Sequence, residues 1–379
     1  LAWGDEDKAL EVAKSQLRGN ENSIDALNLL GSVQLSRGDS QQAGETFEAV
    51  LAQQPENFSA HGGLASLALN AGEREIARKH YQAMRQTRPG NLRLLLDLAA
   101  LELSDNNHEA AMLILQQAVD NHPEQLEPRL KLGTAYFMQG RPSDAKNILG
   151  NMARRYPNHQ GLLVLQAVLA RQTRNWDEAV AHYRYLIELA PRNVGYHLNL
   201  SRCYGEMGST AVQREILEEL LDWSPVYGTA RLDLAKVLFS QGEVNAAQEQ
   251  IRLLEANGFH STDLVVLRGQ VAELNGDTQS ALAAYREAFK QQPNNINLLR
   301  LANKHWHEGD RELALRELQA WLEQHPEDLL TKIELGNRYM SLGNNREAIA
   351  LFEQVVGTSG MHKSPVALNN LGLLLGDAD

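Results

Sequence analysis

The side chains best suited to metal binding or catalysis are adjacent in the stretch His305-Trp306-His307-Glu308. Two histidines at positions i and i+2 of a helix point roughly 200° apart, so they cannot bind the same metal ion. The chain has 12 histidines, and they are spread over its length. We therefore predict no metal site and no bound cofactor.

No familiar catalytic motif accompanies these residues. The sequence has no Walker phosphate loop, no HExxH zinc motif and no nucleophile elbow. The single cysteine, Cys203, has no second cysteine for a disulfide or a metal site. Its place between Ser201 and Tyr204 on a helix predicts a buried, unreactive thiol. The sequence thus predicts a protein that is not an enzyme.

Composition argues against two classes of partner. The formal net charge is -12, and no run rich in lysine and arginine occurs, so we expect no binding to nucleic acid or to an anionic membrane surface. No apolar stretch approaches the roughly 18 residues of a membrane span. The chain opens with Leu1-Ala2-Trp3 and no methionine, which predicts a fragment or a processed form of a longer protein.

One frame of residues recurs along nearly the whole chain. In its clearest copy, Gly269, Gly276, Ala281, Tyr285 and Ala288 stand at positions 0, 7, 12, 16 and 19. Alanine recurs at position 12 and proline at position 24 of most copies. The small residue at position 0 recurs every 34 residues, with one step of 33, as Gly31, Ala65, Ala99, Gly133, Ala167, Ser201, Ala235, Gly269, Ala302 and Gly336.

This frame specifies a helical hairpin. Leucine at position -1 and apolar residues three and four places away form the apolar stripe of a helix, and small residues at positions 0 and 12 let two helices approach closely. Glycine at position 7 suits a left-handed turn between the helices, and proline at position 24 ends the second helix. One hairpin cannot bury its apolar face alone, so neighbouring hairpins must stack.

The period and the frame resemble the tetratricopeptide repeat, a helix-turn-helix unit. The resemblance implies an all-α fold, a right-handed superhelical solenoid of hairpins, in which we name the two helices of each repeat A and B. We predict the second half of a truncated repeat in residues 1–23, ten repeats in residues 24–363, and the first helix of a further truncated repeat in residues 364–379. Such a solenoid offers a surface rather than a pocket.

Several residues depart from the frame. Gln213 replaces alanine at position 12 of the sixth repeat, where we expect a buried amide that makes this repeat less stable than the others. Gln166 and Arg268 replace the leucine at position -1, and each is expected to loosen one contact. The seventh repeat lacks the proline, and Gly258 is predicted to end its B helix. Either a local change of superhelical pitch or a binding role could account for the substitutions.

Partner-binding residues are expected on the concave surface, which the A helices line with the residues at positions -6, -3, -2, 1, 4 and 5. An aromatic ring flanked by arginine and asparagine suits either a peptide anchor with main-chain hydrogen bonds or a sugar ring stacked on an indole. No lysine stands at position -3, so the clamp with which some family members grip a carboxylate terminus is absent. The candidates in repeats five to seven are Arg171, Asn199, Arg202, Asp233, Lys236 and Phe239. The candidates in repeats nine and ten are Arg300, Asn303, Trp306, His307, Glu334, Asn337 and Met340.

The last third of the chain has a narrower resemblance. Trp321-Leu322 before His325-Pro326-Glu327-Asp328, and Ala367-Leu368-Asn369-Asn370-Leu371, resemble the C-terminal part of repeat lipoproteins that accompany exosortase, PEP-CTERM sorting and exopolysaccharide export. The family typically has Ala-Trp after Asn-Asn-Leu, where this chain has Gly372-Leu373. The resemblance implies a bacterial envelope protein that faces the periplasm and organises an export or sorting complex.

Three functions remain open from the sequence. The first is a non-catalytic scaffold that binds a protein or peptide along its concave groove, in the envelope or, as a cytoplasmic assembly factor, in the cytoplasm. The second is a carbohydrate-binding module for an exopolysaccharide, suggested by Trp306 with Arg300 and Asn303. The third is a protein whose catalytic domain lies outside the present sequence.

Overall fold

A computed structural model describes residues 6–150, 152–357 and 364–376 of the chain, and the regular secondary structure in these ranges is helical. The chain forms two compact halves, Leu1–Pro191 and Arg192–Asp379. The described helices of the N-terminal half are α1 (Glu6–Gly19), α2 (Ile24–Arg37), α3 (Ser40–Gln53), α4 (Phe58–Asn70), α5 (Arg74–Thr87), α6 (Leu92–Ser104), α7 (His108–Asn121), α8 (Leu126–Met138), α9 (Pro142–Leu149), α10 (Met152–Arg155), α11 (Gln160–Gln172) and α12 (Trp176–Leu189). The described helices of the C-terminal half are α13 (Val194–Glu206), α14 (Thr210–Trp223), α15 (Gly228–Ser240), α16 (Val244–Ala256), α17 (Thr262–Leu274), α18 (Thr278–Gln291), α19 (Asn295–His307), α20 (Arg311–Gln324), α21 (Leu329–Ser341), α22 (Asn345–Gly357) and α23 (Pro365–Gly376).

Consecutive helices pack as hairpins in both halves. The pairs run from α2 with α3 to α11 with α12 in the N-terminal half, and from α13 with α14 to α21 with α22 in the C-terminal half. The all-α fold of repeated hairpins is therefore confirmed. In the fourth repeat the B helix is interrupted after α9, where Gly150 adopts φ 47° and ψ -126°. The repeat boundaries at residues 23 and 363 stay a prediction, and residues 358–363 lie outside the described residues.

Polar residues eight places before position 0 begin most A helices. In α4, for example, the side chain of Asn57 accepts a hydrogen bond from the backbone N–H of Ala60, and Asn91 does the same for α6. Such caps satisfy backbone donors that the first turn leaves unpaired. Gln125 and Tyr227 stand at the same position without making a side-chain cap.

The turns between A and B helices are left-handed, as the glycines at position 7 predict. Gly38 has φ 82° and Gly276 has φ 75°. The third and fifth repeats lack this glycine, yet Asn106 and Arg174 adopt φ 60° and 57°. The hairpin geometry therefore imposes the left-handed conformation even where the side chain disfavours it. At the end of α16, Gly258 with φ 67° also confirms the predicted stop of that B helix.

The core lies between the A and B helices of each hairpin, where position 0 faces position 16. Three repeats with glycine at position 0 have an aromatic ring opposite, and a Cβ on Gly336 would lie 2.7 Å from a ring carbon of Phe352. The frame alanines are buried, with Ala281 at 0% exposure. Cys203 is likewise 0% exposed, so the prediction of a buried thiol is confirmed.

The structure corrects the expectations for Gln213 and Arg268. Gln213 is only partly buried, and its amide lies over Gly205, whose missing Cβ would stand 2.7 Å from Gln213 Oε1. The other repeats have a larger residue at the position of Gly205, so this glycine makes room for the glutamine. Arg268 does not simply loosen a contact, because it bonds Glu255 of α16 at 3.1 Å and also pairs with Glu287 of α18.

Gln166 fits the expectation of a loosened contact. Its Oε1 atom is buried without a hydrogen-bond partner among the described residues. The residue borders a cavity of about 80 Å³ that is also lined by Leu149 and Gly150, where the fourth B helix is interrupted. A leucine at this position would be expected to fill part of that space.

Candidate functional site

The predicted surface residues lie on A helices of both halves. Arg171 is on α11 in the N-terminal half, and the other candidates are on α13, α15, α19 and α21 in the C-terminal half. We therefore treat the surface of each half separately. Asn199 Nδ2 donates to the carbonyl of Gly195 at 2.8 Å, and His307 is exposed at the end of α19.

Several predicted residues join neighbouring A helices of the C-terminal half. Arg202 of α13 donates to Asp233 of α15 at 2.9 Å, and Lys236 of α15 donates to Asp263 of α17 at 2.6 Å. Phe239 of α15 is partly buried against the hydrophobic core. These side chains are engaged within the protein, so a partner would have to compete for them.

A residue outside the predicted set organises the cluster in repeats nine and ten. The guanidinium of Arg338 lies 4.8 Å from the ring centroid of Trp306 and bonds both Asn303 Oδ1 and Glu334. Arg311 lies 5.4 Å from the same centroid. A sugar that stacked on this indole would meet ring faces already approached by cations. Arg338 stands at position 2, outside the positions expected to line the concave surface, so its place in the repeat does not indicate this role.

The remaining predicted residues of these repeats have local partners. Arg300 Nη1 donates to Asn297 Oδ1 at 3.1 Å. Asn337 Oδ1 accepts a hydrogen bond of 2.8 Å from Asn370 of α23. Met340 is partly buried against the hydrophobic cluster of α22 and α23. Asn303 Oδ1, Asn337 Oδ1 and Glu334 Oε1 of this surface therefore each accept a hydrogen bond from a neighbouring side chain.

The tryptophan motif of the narrower resemblance has a structural role. Trp321 Nε1 donates to Asp328 Oδ2 at 2.8 Å, and its ring stacks on His325 with centroids 3.8 Å apart. Asp328 also accepts hydrogen bonds from Thr331 and caps α21. Burial acts to raise the pKa of Asp328, but these hydrogen bonds hold it below its usual value. The motif therefore fastens one hairpin to the next.

His305 of the His305-Trp306-His307 stretch is a buried titratable residue that lies close to the partly buried Glu317 of α20. His305 is 3% exposed, and neither ring nitrogen has a hydrogen-bond partner among the described residues. Its Nε2 lies 3.6 Å from Glu317 Oε1, and its Nδ1 lies 3.8 Å from Asp310 Oδ2. Burial, and then the charge of Arg286, lowers the pKa of His305, while burial raises the pKa of Glu317. This pair lies inside the ninth hairpin.

No metal-binding arrangement is found in the described part of the chain: no three His, Cys, Asp or Glu side chains there are placed to hold an ion. None of the helices described is both long and apolar enough to cross a bilayer. The absence of a metal and of a cofactor stays a prediction.

An apolar groove on the A helices of the N-terminal half is the surface that sequence reasoning missed. It lies between α6 and α8, has a volume of about 370 Å³, and is lined mainly by leucine, alanine and methionine. Met138 at its end is 72% exposed. We name it the α6–α8 groove. Its lining residues are Leu96, Ala99, Ala100, Leu103, His108, Leu115, Leu130, Lys131, Thr134, Ala135 and Met138.

A sequence signal for this groove exists. Leu96, Ala100 and Leu103 stand at positions -3, 1 and 4 of the third repeat, and Leu130 and Met138 stand at positions -3 and 5 of the fourth. These positions belong to the set expected to line the concave surface. Aliphatic residues at these positions are a weaker signal than charged or aromatic ones, because aliphatic side chains also build the core of every repeat.

Models of the tetratricopeptide repeat match residues 28–91, 63–125, 232–296 and 266–329, and a second model of the same repeat matches residues 102–168. These matches cover more than half of the chain, which therefore belongs to the tetratricopeptide repeat family. Repeats of this family form protein-binding scaffolds that are generally non-catalytic.

Known proteins resemble the chain in part. It is 25% identical over 175 residues to the BBSome complex member bbs-4 of Caenorhabditis elegans, a match that covers 44% of this chain and 38% of that protein. The chain thus spans well under two thirds of that relative. A tetratricopeptide repeat protein from Parabacteroides merdae superposes with a TM-score of 0.54 at 18% identity, covering 65% of this chain and 98% of that one. Cut9 with Hcn1 from the APC/C gives a TM-score of 0.49 at 14% identity, covering 93% and 76%.

Proposed function

We propose that this chain is a non-catalytic scaffold that binds an apolar segment of a partner protein in the α6–α8 groove. The observation that carries the proposal is a groove of about 370 Å³ that is lined mostly by leucine, alanine and methionine, with His108, Lys131 and Thr134 as its polar members. A fully buried large apolar side chain contributes roughly 1.5–3 kcal/mol, so a partner that inserts two or three of them gains enough free energy for a specific contact.

The shape of the groove supports a segment of a larger partner. Leu96 and Leu103 lie seven residues apart on α6, which places them about 10 Å apart along the helix. Met138, at 72% exposure, leaves the end of the groove open to solvent. A side-chain row of similar length on a partner helix or strand would cover both leucines. Exposed methionine also adapts its shape to different apolar ligands.

Charge substitutions at exposed positions test this proposal. Met138→Asp and Ala100→Asp place a carboxylate in the groove without disturbing the core, because both residues are exposed. Leu113→Asp is the matched control, since Leu113 is 73% exposed and lies outside the groove lining. A partner recovered from the source cells by the unchanged chain and by the Leu113 variant should be lost from both groove variants. Equal recovery by all four proteins would refute binding in the groove.

The cellular location is a separate part of the proposal. The resemblance of the last third to repeat lipoproteins of exopolysaccharide export supports a bacterial envelope complex that faces the periplasm. Fractionation of cells that express the natural full-length protein tests this location. Recovery only in the cytoplasmic fraction would favour a cytoplasmic assembly factor, while the scaffold role would stand.

A further inference from the structure

Both walls of the α6–α8 groove have large aliphatic residues at their ends and small residues between them. The large residues are Leu96 and Leu103 on α6, and Leu130 and Met138 on α8. The small residues are Ala99 and Ala100 on α6, and Thr134 and Ala135 on α8. Because an α-helix rises about 1.5 Å per residue, each wall is about two helical turns long. The centre of the groove therefore has the most room for a partner.

The groove has few hydrogen-bonding groups for a ligand. The backbone N–H and C=O groups of both walls lie within α6 and α8, where they bond each other. The polar lining residues are His108, Lys131 and Thr134, and the hydroxyl of Thr134 already donates to the carbonyl of Leu130 at 2.8 Å. An extended segment would bury its own N–H and C=O groups against leucine, alanine and methionine, and each group left unpaired costs free energy.

We propose that the occupant of this groove is an amphipathic α-helix of the partner protein, an inference that rests on the proposed function. A helix pairs its own backbone groups, so it can lie against an apolar surface without leaving them unpaired. Its side chains at positions i, i+3, i+4 and i+7 form one apolar stripe, which spans two turns and matches the length of both walls. The alanines between the wall residues let the partner helix approach closely, with a large aliphatic side chain at the centre of its stripe.

Lys131 indicates the charge of the partner helix. Among the described residues that line the groove, Lys131 carries a positive charge and none carries a negative one. Its side chain is 45% exposed, and its Nζ atom lies 3.8 Å from Oε1 of the exposed Glu127. Such a surface pair contributes little to stability, so the ammonium group is available to a partner. The apolar stripe of the partner helix is therefore bordered by a glutamate or an aspartate that pairs with Lys131.

Designed peptides test the helical conformation. The probe is a labelled, alanine-based peptide of about 16 residues with leucines in one stripe and a glutamate at the edge of the stripe. Fluorescence anisotropy gives its affinity for the full chain. In a second peptide, glycine replaces two alanines on the side opposite the leucines, which keeps the side chains of the stripe and disfavours the helix. Each glycine should weaken binding about fivefold if the peptide binds as a helix.

Variants of the chain locate the peptide and test the charge. Met138→Asp and Ala100→Asp should abolish binding of the alanine-based peptide, while Leu113→Asp, outside the groove lining, should leave its affinity unchanged. Lys131→Glu should weaken binding about tenfold. A peptide with lysine in place of the glutamate should bind this variant as tightly as the first peptide binds the unchanged chain. A purely structural role of Lys131 would not be reversed by a change in the peptide.

Two results would overturn the helical occupant. One is equal affinity of the alanine and glycine peptides, and the other is undetectable binding of the alanine-based peptide. If the partner recovered from cells were still lost from Met138→Asp and Ala100→Asp, the proposed function would stand and this inference alone would fail. Loss of affinity in Lys131→Glu that the lysine peptide does not restore would refute the acidic border of the partner helix.

Discussion

Substitution of Gly336 by alanine tests how closely the two helices of a hairpin approach. A Cβ at this position of α21 would stand 2.7 Å and 2.9 Å from two ring carbons of Phe352 on α22. The ring is 0% exposed, so it has little room to move. Overpacking of this kind costs about 1–3 kcal/mol, and we expect Gly336→Ala to destabilise the tenth repeat by that amount.

A glycine elsewhere in the same half provides the control. Gly372 lies within α23, and a Cβ there would meet nothing within 4 Å. Because glycine inside a helix is disfavoured by roughly 0.5–1 kcal/mol relative to alanine, Gly372→Ala should stabilise the chain. The two substitutions make the same chemical change, so their opposite signs would isolate the contact with Phe352.

A double-mutant cycle completes the test. Phe352→Leu with Gly336→Ala recreates the alanine-leucine pair that the third repeat has at Ala99 and Leu115. The double variant should be more stable than the sum of the single effects predicts, by about 1–2 kcal/mol. Urea titration gives the free energies, and hydrogen exchange of α21 and α22 locates the change. A neutral or stabilising Gly336→Ala, or strict additivity, would refute the reasoning.

Three further predictions concern single positions. Arg174 holds φ 57° where most repeats have glycine, so Arg174→Gly should raise the free energy of unfolding by up to about 1 kcal/mol; a decrease in a urea titration would contradict this. Gln213→Ala should change the free energy of unfolding by less than about 0.5 kcal/mol. Gly205→Leu should destabilise the chain that has Gln213 more than the chain that has alanine at position 213. Equal effects in the two backgrounds would show that residues 205 and 213 do not compete for the same space. The folded-state pKa of His305 lies below its usual 6.5, so its contribution to stability is complete above about pH 6.5 and is lost as the pH falls. Between about pH 7 and pH 5, His305→Leu should therefore lose less thermal stability than the unchanged chain. The same loss in the variant and in the unchanged chain would refute the assignment.

Much of the hairpin fold could be predicted because it depends on local residue types. Glycine at position 7 takes the left-handed conformation, and small residues at positions 0 and 12 mark where helices touch. These signals repeat in register, so one exception does not hide the pattern. Gly258 could be predicted as a helix end in the same way, since its conformational freedom is a property of the residue itself.

The binding surface could be predicted only in outline. Position in the repeat correctly placed Asn303 and Trp306 on A helices, but it could not reveal that Arg338 bonds one and approaches the ring of the other. That contact joins residues 35 positions apart, and its formation depends on how two hairpins pack. For the same reason the amide of Gln213 was expected to be buried, when Gly205 on the preceding helix leaves space for it.

The all-α class, the hairpin repeat and the ends of its helices follow from the residue types, because each depends on a residue's own backbone preference or on periodic burial. Which surface side chains are already bonded within the protein follows instead from how the hairpins pack. This packing places Arg202 against Asp233 and leaves Asn303 Nδ2 without an acceptor among the described residues. The α6–α8 groove likewise depends on packing, because it forms where the aliphatic residues of two neighbouring A helices lie side by side. Whether a side chain on a repeat surface is free or bonded depends on its neighbour one repeat away, and only the packed structure brings that neighbour into reach.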